Sequence, residues 1–289
     1  PGFELPSRGS MPQSRPRTKR LVILLATLVS ILAITILAVI PMAAAARLTY
    51  DQGTKIMPDA ASVLSSSKSD LDLLLGRADW ILHACCDHSV TVEDSDVMQF
   101  TVGTDDPKVR NSLRSELRFK STGYDIPTRY SARIRTQAAW PETDEFVIPM
   151  QWHAQRDLWL GEPGRFPPLE IAIENGNWVV KKAYDTNRFT LPGDKRVSRI
   201  TLAEIPFEPG KWVDWRIEAK WASDKRGSLD IWLNDEKIVS DRGPNAYVDA
   251  VAPYWKLGTY RPQQAKRGTP APPISIGFRD IELEVGTLQ

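Results

Sequence analysis

The segment EFVIPMQWHA, residues 145 to 154, has the two-residue alternation of a strand that is buried on one side. Successive side chains of a strand point to opposite faces of a sheet. The alternation predicts that four apolar side chains face a core, namely Phe146, Ile148, Met150 and Trp152. Gln151 and His153 then stand together on the opposite face. That position is notable because the chain holds only 3 histidines.

Short alternating segments recur through the rest of the chain, and no sustained helical period interrupts them. They include LRSELRFK, YSARIRTQ, PLEIAIEN, NWVVKKAY, KWVDWRIEAKW, SLDIWLNDEKIV, YWKLGTYR and PISIGFRDIELEV. Gly, Pro, Asn and Asp separate the segments, as expected for turns. Regularly spaced strands without helical crossovers predict an all-β fold, either an antiparallel sandwich or a jelly roll.

Two further segments divide into an apolar and a polar face. In NSLRSELRF, residues 111 to 119, the polar face carries Arg114, Glu116 and Arg118. In PYWKLGTYRP, residues 253 to 262, it carries Tyr254, Lys256, Gly258 and Tyr260. If the three polar faces belong to one sheet, they line a groove. A merely solvated face is the alternative, but amides, imidazoles and tyrosines serve solubility less well than Lys and Glu.

Composition favours one sizeable globular domain. The chain has 289 residues, of which 42% are hydrophobic, so it can bury a substantial core. Its 37 basic and 36 acidic residues nearly cancel. This balance gives no global field for nucleic acid, and we expect no nucleic-acid partner. We expect a monomer.

The N-terminus has the pattern of an export signal. RPRTKR, residues 15 to 20, precedes the uncharged segment LVILLATLVSILAITILAVI, residues 21 to 40. The alanines at 43 to 46 offer small-residue cleavage sites, although the apolar run is also long enough for an uncleaved membrane anchor. We therefore predict a scar of cloning or upstream translation at 1–10, a signal peptide or signal anchor at 11–46, a linker at 47–76 and the main domain at 77–289. The protein would be periplasmic or secreted, and a membrane would be a partner only through residues 21–40 if they stay attached.

The only two cysteines, Cys85 and Cys86, are adjacent. Neighbouring cysteines rarely bridge each other without strain, so we expect no disulfide framework. His83 and His88 flank the pair in HACCDHS. The spacing matches no common zinc pattern, so we assign no metal ligands to it.

The segments RSELR, QWH and YWKLGTY, in this order, resemble the three active-site strands of jelly-roll polysaccharide lyases, the group that includes heparin lyase I, glucuronan lyase and alginate lyases. The resemblance extends from about Asp79 to the C-terminus and is strongest to the heparin lyase I and glucuronan lyase branch. It implies a concanavalin A-like β-jelly roll. Pro262 stands where alginate lyases usually carry a glutamine, which counts against alginate.

The resemblance also implies an activity and a set of site residues. The activity is β-elimination at C4–C5 of a uronate in a glucuronan-like or heparin-like polymer, giving unsaturated oligosaccharides. The implied catalytic residues are Gln151, His153, Tyr260 and Lys256, and the implied substrate-binding residues are Arg114, Glu116, Arg118, Arg133, Arg135, Tyr254 and Arg261. The partner is an anionic polysaccharide. The chemistry requires no cofactor; a structural calcium ion stays open, because no compact Asp/Asn cluster identifies its ligands.

The residue types suit this chemistry. A hydrogen-bond donor or cation on the uronate carboxylate, such as Gln151, stabilises the charge that develops when the C5 proton leaves. Tyr260 can protonate O4 as the bond breaks. In glucuronate the C5 hydrogen and the C4 oxygen lie on the same side, so Tyr260 can act as base and then acid. In iduronate they are opposed, and His153 would be the base.

Two other classes of function compete with this interpretation. EIAIE, residues 170 to 174, resembles the catalytic strand of laminarinase-type glycoside hydrolases, which use paired carboxylates. Ala172 occupies the place of that strand's middle aspartate, however. The second alternative is a non-catalytic carbohydrate-binding module, since a fold alone does not imply chemistry. Products that absorb ultraviolet light through a conjugated double bond would distinguish a lyase from both.

Overall fold

The computed structural model describes residues 80–94, 96–141, 146–190, 197–263 and 272–286. Within these ranges, no helix is long and apolar enough to cross a membrane. The predicted scar, signal segment and linker fall outside the described residues, and their assignment stays a prediction.

The described residues form 14 strands and two short 3-10 turns. The strands are β1 Trp80–His83, β2 Val90–Glu93, β3 Val97–Val102, β4 Leu113–Phe119, β5 Pro127–Thr136, β6 Val147–Gln155, β7 Leu169–Glu174, β8 Asn177–Tyr184, β9 Ser198–Pro206, β10 Trp212–Lys220, β11 Ser228–Leu233, β12 Glu236–Arg242, β13 Val251–Arg261 and β14 Ile274–Val285. The turns are Asp87–Ser89 and Leu158–Leu160.

The strands form two antiparallel sheets of seven strands each. The first sheet has the order β1-β4-β13-β6-β7-β8-β9, and the second has the order β12-β11-β10-β5-β14-β3-β2. The predicted all-β sandwich is confirmed. The three segments singled out by their polar faces lie on β4, β13 and β6, which are direct neighbours with β13 in the middle. Their polar faces therefore do belong to one sheet.

The core lies between the two sheets and is built around aromatic rings. Trp152 on β6 and Trp255 on β13 contact Tyr130 on β5 of the second sheet, with ring centroids 5.2 and 5.4 Å apart. The Tyr130 hydroxyl accepts a hydrogen bond of 3.0 Å from Nε1 of Trp221. Large buried rings of this kind dominate core energetics. They hold the first sheet with its polar face directed away from the core.

A local irregularity in β6 overturns one detail of the predicted alternation. The register between β6 and β7 shifts between Val147 and Met150, which inserts one extra residue. Val147 therefore joins the core, while Phe146 and Ile148 turn to the polar face and line a cavity there. The prediction that Phe146 and Ile148 face the core is wrong, because a β-bulge reverses the alternation on one side of it.

A second irregularity lies in β13, where the register with β6 shifts between Leu257 and Tyr260. Gly258 sits in this stretch with φ +139°, a conformation that side-chain-bearing residues rarely adopt. A Cβ added here would lie 2.2 Å from the carbonyl oxygen of Ser115 on β4. The close approach of β13 to β4 thus requires glycine at this position.

We expect Gly258→Ala to lower the free energy of unfolding by about 1–3 kcal/mol, the usual cost of a backbone held in a sparsely populated region. Gly164→Ala is the matched control. An added Cβ at Gly164 meets nothing within 4 Å and its φ is not in the left-handed region, so its stability should change little. Urea denaturation of the two variants makes the comparison, and equal stability would contradict the argument.

Candidate active site

The polar face of the first sheet is organised around the carboxylate of Glu116 on β4. Its Oε1 accepts a hydrogen bond of 2.6 Å from Nε2 of Gln151 on β6. Its Oε2 accepts from Nζ of Lys256 on β13 and, at 3.2 Å, from Nη1 of Arg114 on its own strand. Glu116 pairs directly with Gly258, so no side chain of β13 stands between the carboxylate and β6. One carboxylate therefore joins three adjacent strands.

These charged groups are buried. Glu116, Gln151 and Lys256 each retain only 1% of their surface exposure. Burial would raise the pKa of Glu116, but Lys256 and Arg114 outweigh it and hold that pKa below its ordinary value. Burial lowers the pKa of Lys256 to about 8 even though Glu116 opposes the shift. At neutral pH we therefore treat the pair as a carboxylate and an ammonium ion.

This burial changes the part assigned to two predicted site residues. Both oxygens of Glu116 are occupied by protein donors, and Nζ of Lys256 is directed to Glu116. Glu116 and Lys256 thus lie beneath the surface that a sugar would contact. Glu116 organises this buried network, and its contact with substrate stays a prediction.

His153, on the polar face of β6, is held as a neutral imidazole. Its Nδ1 lies 2.8 Å from the carbonyl oxygen of Ala154, which can only accept a hydrogen bond. We therefore place the ring proton on Nδ1, and Nε2 keeps a free lone pair. Burial, with a further contribution from Lys256, lowers the pKa of His153 to about 4. The ring is consequently available as a proton acceptor at neutral pH.

Two tyrosines of β13 lie against arginines of β4. The guanidinium carbon of Arg118 lies 4.2 Å from the ring centroid of Tyr254, which also stacks with His153 at 5.5 Å. The guanidinium carbon of Arg114 lies 4.3 Å from the centroid of Tyr260. Contacts of this type stabilise the cation and fix the ring. For Tyr260, Arg114 is a nearer cation than Lys256, whose Nζ lies 5.6 Å from the centroid.

Gln151, His153 and Tyr260 line one open cavity of about 670 Å³. The segment from Pro163 to Pro167 forms part of its wall. The prediction that these three side chains share one groove is confirmed by this geometry. The arrangement brings an amide donor, a neutral imidazole and a phenol to a single space large enough for sugar units.

Other residues of the cavity were missed by sequence reasoning. Glu170 on β7 and Arg199 on β9 both line it, and they form an ion pair of 2.6 Å. Phe166 lies under the Arg199 guanidinium, 4.0 Å from ring centroid to guanidinium carbon. The alternation of EIAIE could have indicated that Glu170 shares the face of Gln151. Nothing in the sequence could bring Arg199 to it, because that contact reaches across β8.

His83 is a further residue that the sequence did not assign to this sheet. On the edge strand β1 it lies opposite Glu116 of β4 in the strand register, and it is 5% exposed. Burial, and then Lys256, lowers the pKa of His83 to about 2. A second neutral imidazole thus stands at the β1 side of the buried charges.

Three predicted substrate-binding arginines lie elsewhere. Arg133 and Arg135 belong to β5 of the second sheet, where Arg133 pairs with Asp214 at 2.5 Å and Arg135 stacks on Trp212. Arg261 follows Tyr260 and so points to the other face, where it is 1% exposed and donates to the carbonyl oxygen of Pro272. Their predicted place in the groove is wrong. Strand pairing decides which sheet and which face of it a residue joins, and local charge does not.

The two carboxylates that the hydrolase alternative would use already form ion pairs within the protein. Glu170 is 2% exposed and pairs with Arg199, and Glu174 pairs with Lys181. A glycosidase needs one carboxyl group as acid and a second as base or nucleophile on either side of the bond. Here both carboxylates of the strand are held in ion pairs, and Ala172 lies where the middle aspartate would stand.

The cysteines also differ from the prediction. The structure joins Cys85 and Cys86 in a disulfide between neighbours, where the sequence favoured two unbridged residues. The bridge forms locally, between the end of β1 and the turn Asp87–Ser89. It therefore cross-links no distant parts of the chain.

The described residues thus form a jelly-roll sandwich with an amide, a neutral imidazole and a tyrosine on one cavity. A family model described as polysaccharide lyase matches residues 86–275, about two thirds of the chain. The chain belongs to this polysaccharide lyase family. No curated protein sequence matches it significantly.

Solved structures show the same fold. The chain is similar to an endo-β-1,4-glucuronan lyase from the fungus Trichoderma reesei, with 17% identity, a TM-score of 0.57 and coverage of 73% of this chain and 89% of that one. It is similar to alginate lyase A1-II', a member of polysaccharide lyase family 7, with 14% identity, a TM-score of 0.54 and coverage of 73% and 96%. The alginate lyase from Corynebacterium sp. gives 13%, 0.51 and coverage of 74% and 97%.

We expect Glu116→Gln to lower the free energy of unfolding by about 3–5 kcal/mol, because it leaves Lys256 as a buried charge without its counter-ion. Glu218→Gln is the control, since Glu218 pairs with Arg129 at the surface, where side-chain exposures are 19% and 30%. Loss of such a pair should cost at most about 1 kcal/mol. Denaturant unfolding at neutral pH measures both variants, and similar losses would contradict the assignment.

The His153 imidazole should titrate near pH 4, measured by NMR of the ring carbons in the folded chain. Because the unfolded histidine binds its proton at a pKa of about 6.5, acid favours the unfolded chain. The free energy of unfolding should thus fall as the pH drops from 6.5 to about 4. His153→Gln should lose part of that slope, while His83 supplies the rest; an unchanged slope would refute the neutral, buried state of His153.

Proposed function

We propose that the chain cleaves a uronic-acid-containing polysaccharide by β-elimination at C4–C5 of the uronate, and releases unsaturated oligosaccharides. The observation that carries the proposal is that Gln151, His153 and Tyr260 line one cavity, with Arg114 against the Tyr260 ring. Family membership supports the reaction class. The roles of the individual residues and the polymer belong to the proposal.

Gln151 is the donor to the uronate carboxylate. One N–H of its amide bonds Glu116, which can only accept, so the orientation of the amide is fixed and its second N–H is left for substrate. A preformed donor of this kind stabilises the negative charge that grows on the carboxylate as the C5 proton leaves. The nearby cations Arg114 and Lys256 add to the positive potential at this place.

The proton leaves C5 to His153 or to Tyr260. Nε2 of His153 carries a free lone pair, and the low pKa of the ring keeps it unprotonated at neutral pH. Tyr260 lines the same cavity with the Arg114 guanidinium against its ring, and its phenol is the other candidate base. Tyr260 then protonates O4, and the glycosidic bond breaks.

The polymer we favour contains glucuronate. The sequence resembles the glucuronan lyase branch, and one similar structure is a glucuronan lyase. Pro262 stands where alginate lyases usually carry a glutamine, and it lines the cavity beside Gln263. In glucuronate the proton and the leaving oxygen lie on one side, so Tyr260 alone can serve both steps. A heparin-like polymer is the alternative within the same reaction.

The proposed chemistry assigns no step to a cofactor, because protein side chains provide the donor, the base and the acid. The place of action follows from the predicted export segment: we propose that the enzyme works in the periplasm or outside the cell on an anionic polysaccharide.

Absorbance of the unsaturated product, measured on glucuronan, heparin and alginate, tests the function. Tyr260→Phe removes only the phenolic oxygen, and we expect it to abolish activity on every uronate polymer while leaving the fold intact. Tyr184→Phe is the control, because Tyr184 lies on β8 and does not line the cavity. Full activity of Tyr260→Phe, or no product from any uronate polymer, would overturn the assignment.

His153→Ala in the same assay separates the two stereochemical schemes. With a glucuronate polymer, some activity should persist at alkaline pH, because Tyr260 can serve both proton transfers. With an iduronate polymer, the loss should reach roughly 10²–10⁴-fold, the usual contribution of a general base.

A further inference from the structure

A cluster of possible metal ligands lies outside the cavity, where the end of β1 meets the loop between β3 and β4. Sulfur atoms of Cys85 and Cys86 and a carboxylate oxygen of Asp106 all lie within 4.8 Å of one another. His88, from the turn Asp87–Ser89, places Nε2 2.9 Å from Oδ1 of the same aspartate. The sequence showed the cysteines and histidine together, but only the fold adds Asp106.

One distance in the cluster is already close to that of a tetrahedral ion. For bonds of about 2.3 Å to sulfur and about 2.0–2.1 Å to nitrogen and oxygen, neighbouring sulfur and oxygen ligands stand roughly 3.6 Å apart, and nitrogen and oxygen ligands roughly 3.3 Å apart. Sγ of Cys86 lies 3.8 Å from Oδ1 of Asp106. Nε2 of His88 lies 2.9 Å from the same oxygen, and reduction frees the two sulfur atoms, which the disulfide now joins, to separate.

The aspartate is held in position by the backbone. Oδ2 of Asp106 accepts a hydrogen bond of 2.7 Å from the N–H of Gly103, which leaves Oδ1 directed to His88 and Cys86. A Cβ at Gly103 would lie 2.9 Å from Oδ1 of Asp106 and 3.1 Å from Nε2 of His88. The glycine thus makes room for the two ligands, and the side chain of Asp106 is only 9% exposed.

We propose that the reduced form of this cluster binds a thiophilic divalent cation such as Zn²⁺ through Cys85, Cys86, Asp106 and His88. Two thiolates, an imidazole and a carboxylate are a zinc-type ligand set, and thiolate sulfur favours such ions over calcium or magnesium. The site is structural, since protein side chains fill all four tetrahedral positions. It does not depend on the proposed reaction.

The disulfide and the metal exclude each other. A phosphine reductant supplies two electrons to the Cys85–Cys86 bond and becomes a phosphine oxide with an oxygen from water, and the two sulfurs take up two protons. Metal binding then replaces these two protons, because thiolates are the ligands.

The experiment uses the full chain, reduced with a phosphine, desalted under nitrogen and titrated with Co²⁺. We expect two free thiols, a thiolate-to-cobalt charge-transfer band at one equivalent, and loss of the band when Zn²⁺ is added. The oxidised chain should give no band. Absence of the band from the reduced chain, or failure to obtain two thiols, would overturn the proposal.

Asp106→Asn tests the ligand that only the fold supplies. It should weaken binding of Co²⁺ and Zn²⁺ by at least about tenfold, in line with the losses seen around metal sites. Asp105→Asn is the matched control, since Asp105 is the exposed neighbour in the same loop and should leave the affinity unchanged. Equal affinity for the two variants would show that the thiols bind the ion without the predicted site, which contradicts the proposal.

Discussion

The carboxylate of Glu116 is the interaction on which the rest of the cavity depends. It is buried, and it gathers an amide, an ammonium ion and a guanidinium from three neighbouring strands. A buried charge of this kind is tolerated only when its partners are complete. The requirement fixes the lateral order of β4, β13 and β6, and with it the positions of the groups that face the sugar. Gly258 is the steric counterpart, because it leaves the carboxylate an open path across β13.

The site has a buried charged layer and neutral groups that line the cavity. The buried layer holds the ion pair of Glu116 and Lys256, whose members stay ionised because each has the other. The same positive charges, together with burial, keep His153 and His83 unprotonated. A place with positive potential therefore lies beside imidazoles that stay unprotonated at neutral pH.

Alternation in the sequence predicted the sheet faces wherever the strands are regular. Gln151 with His153, and Arg114 with Arg118, emerged on the expected side because nothing interrupts their period. The prediction failed at Phe146 and Ile148, where one extra residue reverses the faces. It failed for Arg133 and Arg135, since the sequence does not reveal which sheet a strand joins. Burial of the Glu116 network and the approach of Arg199 to Glu170 depend on pairing between distant strands, which no local pattern reports.

The order of strands in the first sheet determines when, during synthesis of the chain, the active site can form. β13 lies between β4 and β6, yet it follows β6 in the chain by roughly a hundred residues, a separation typical of slow, non-local folding steps. A chain that has emerged only as far as β12 has no central strand to join the other two. It therefore lacks both Tyr260 and Lys256, the counter-ion of Glu116. Activity should thus appear in a single late event, after nearly all of the polypeptide has been synthesised, and a truncated product would be inert rather than partly active.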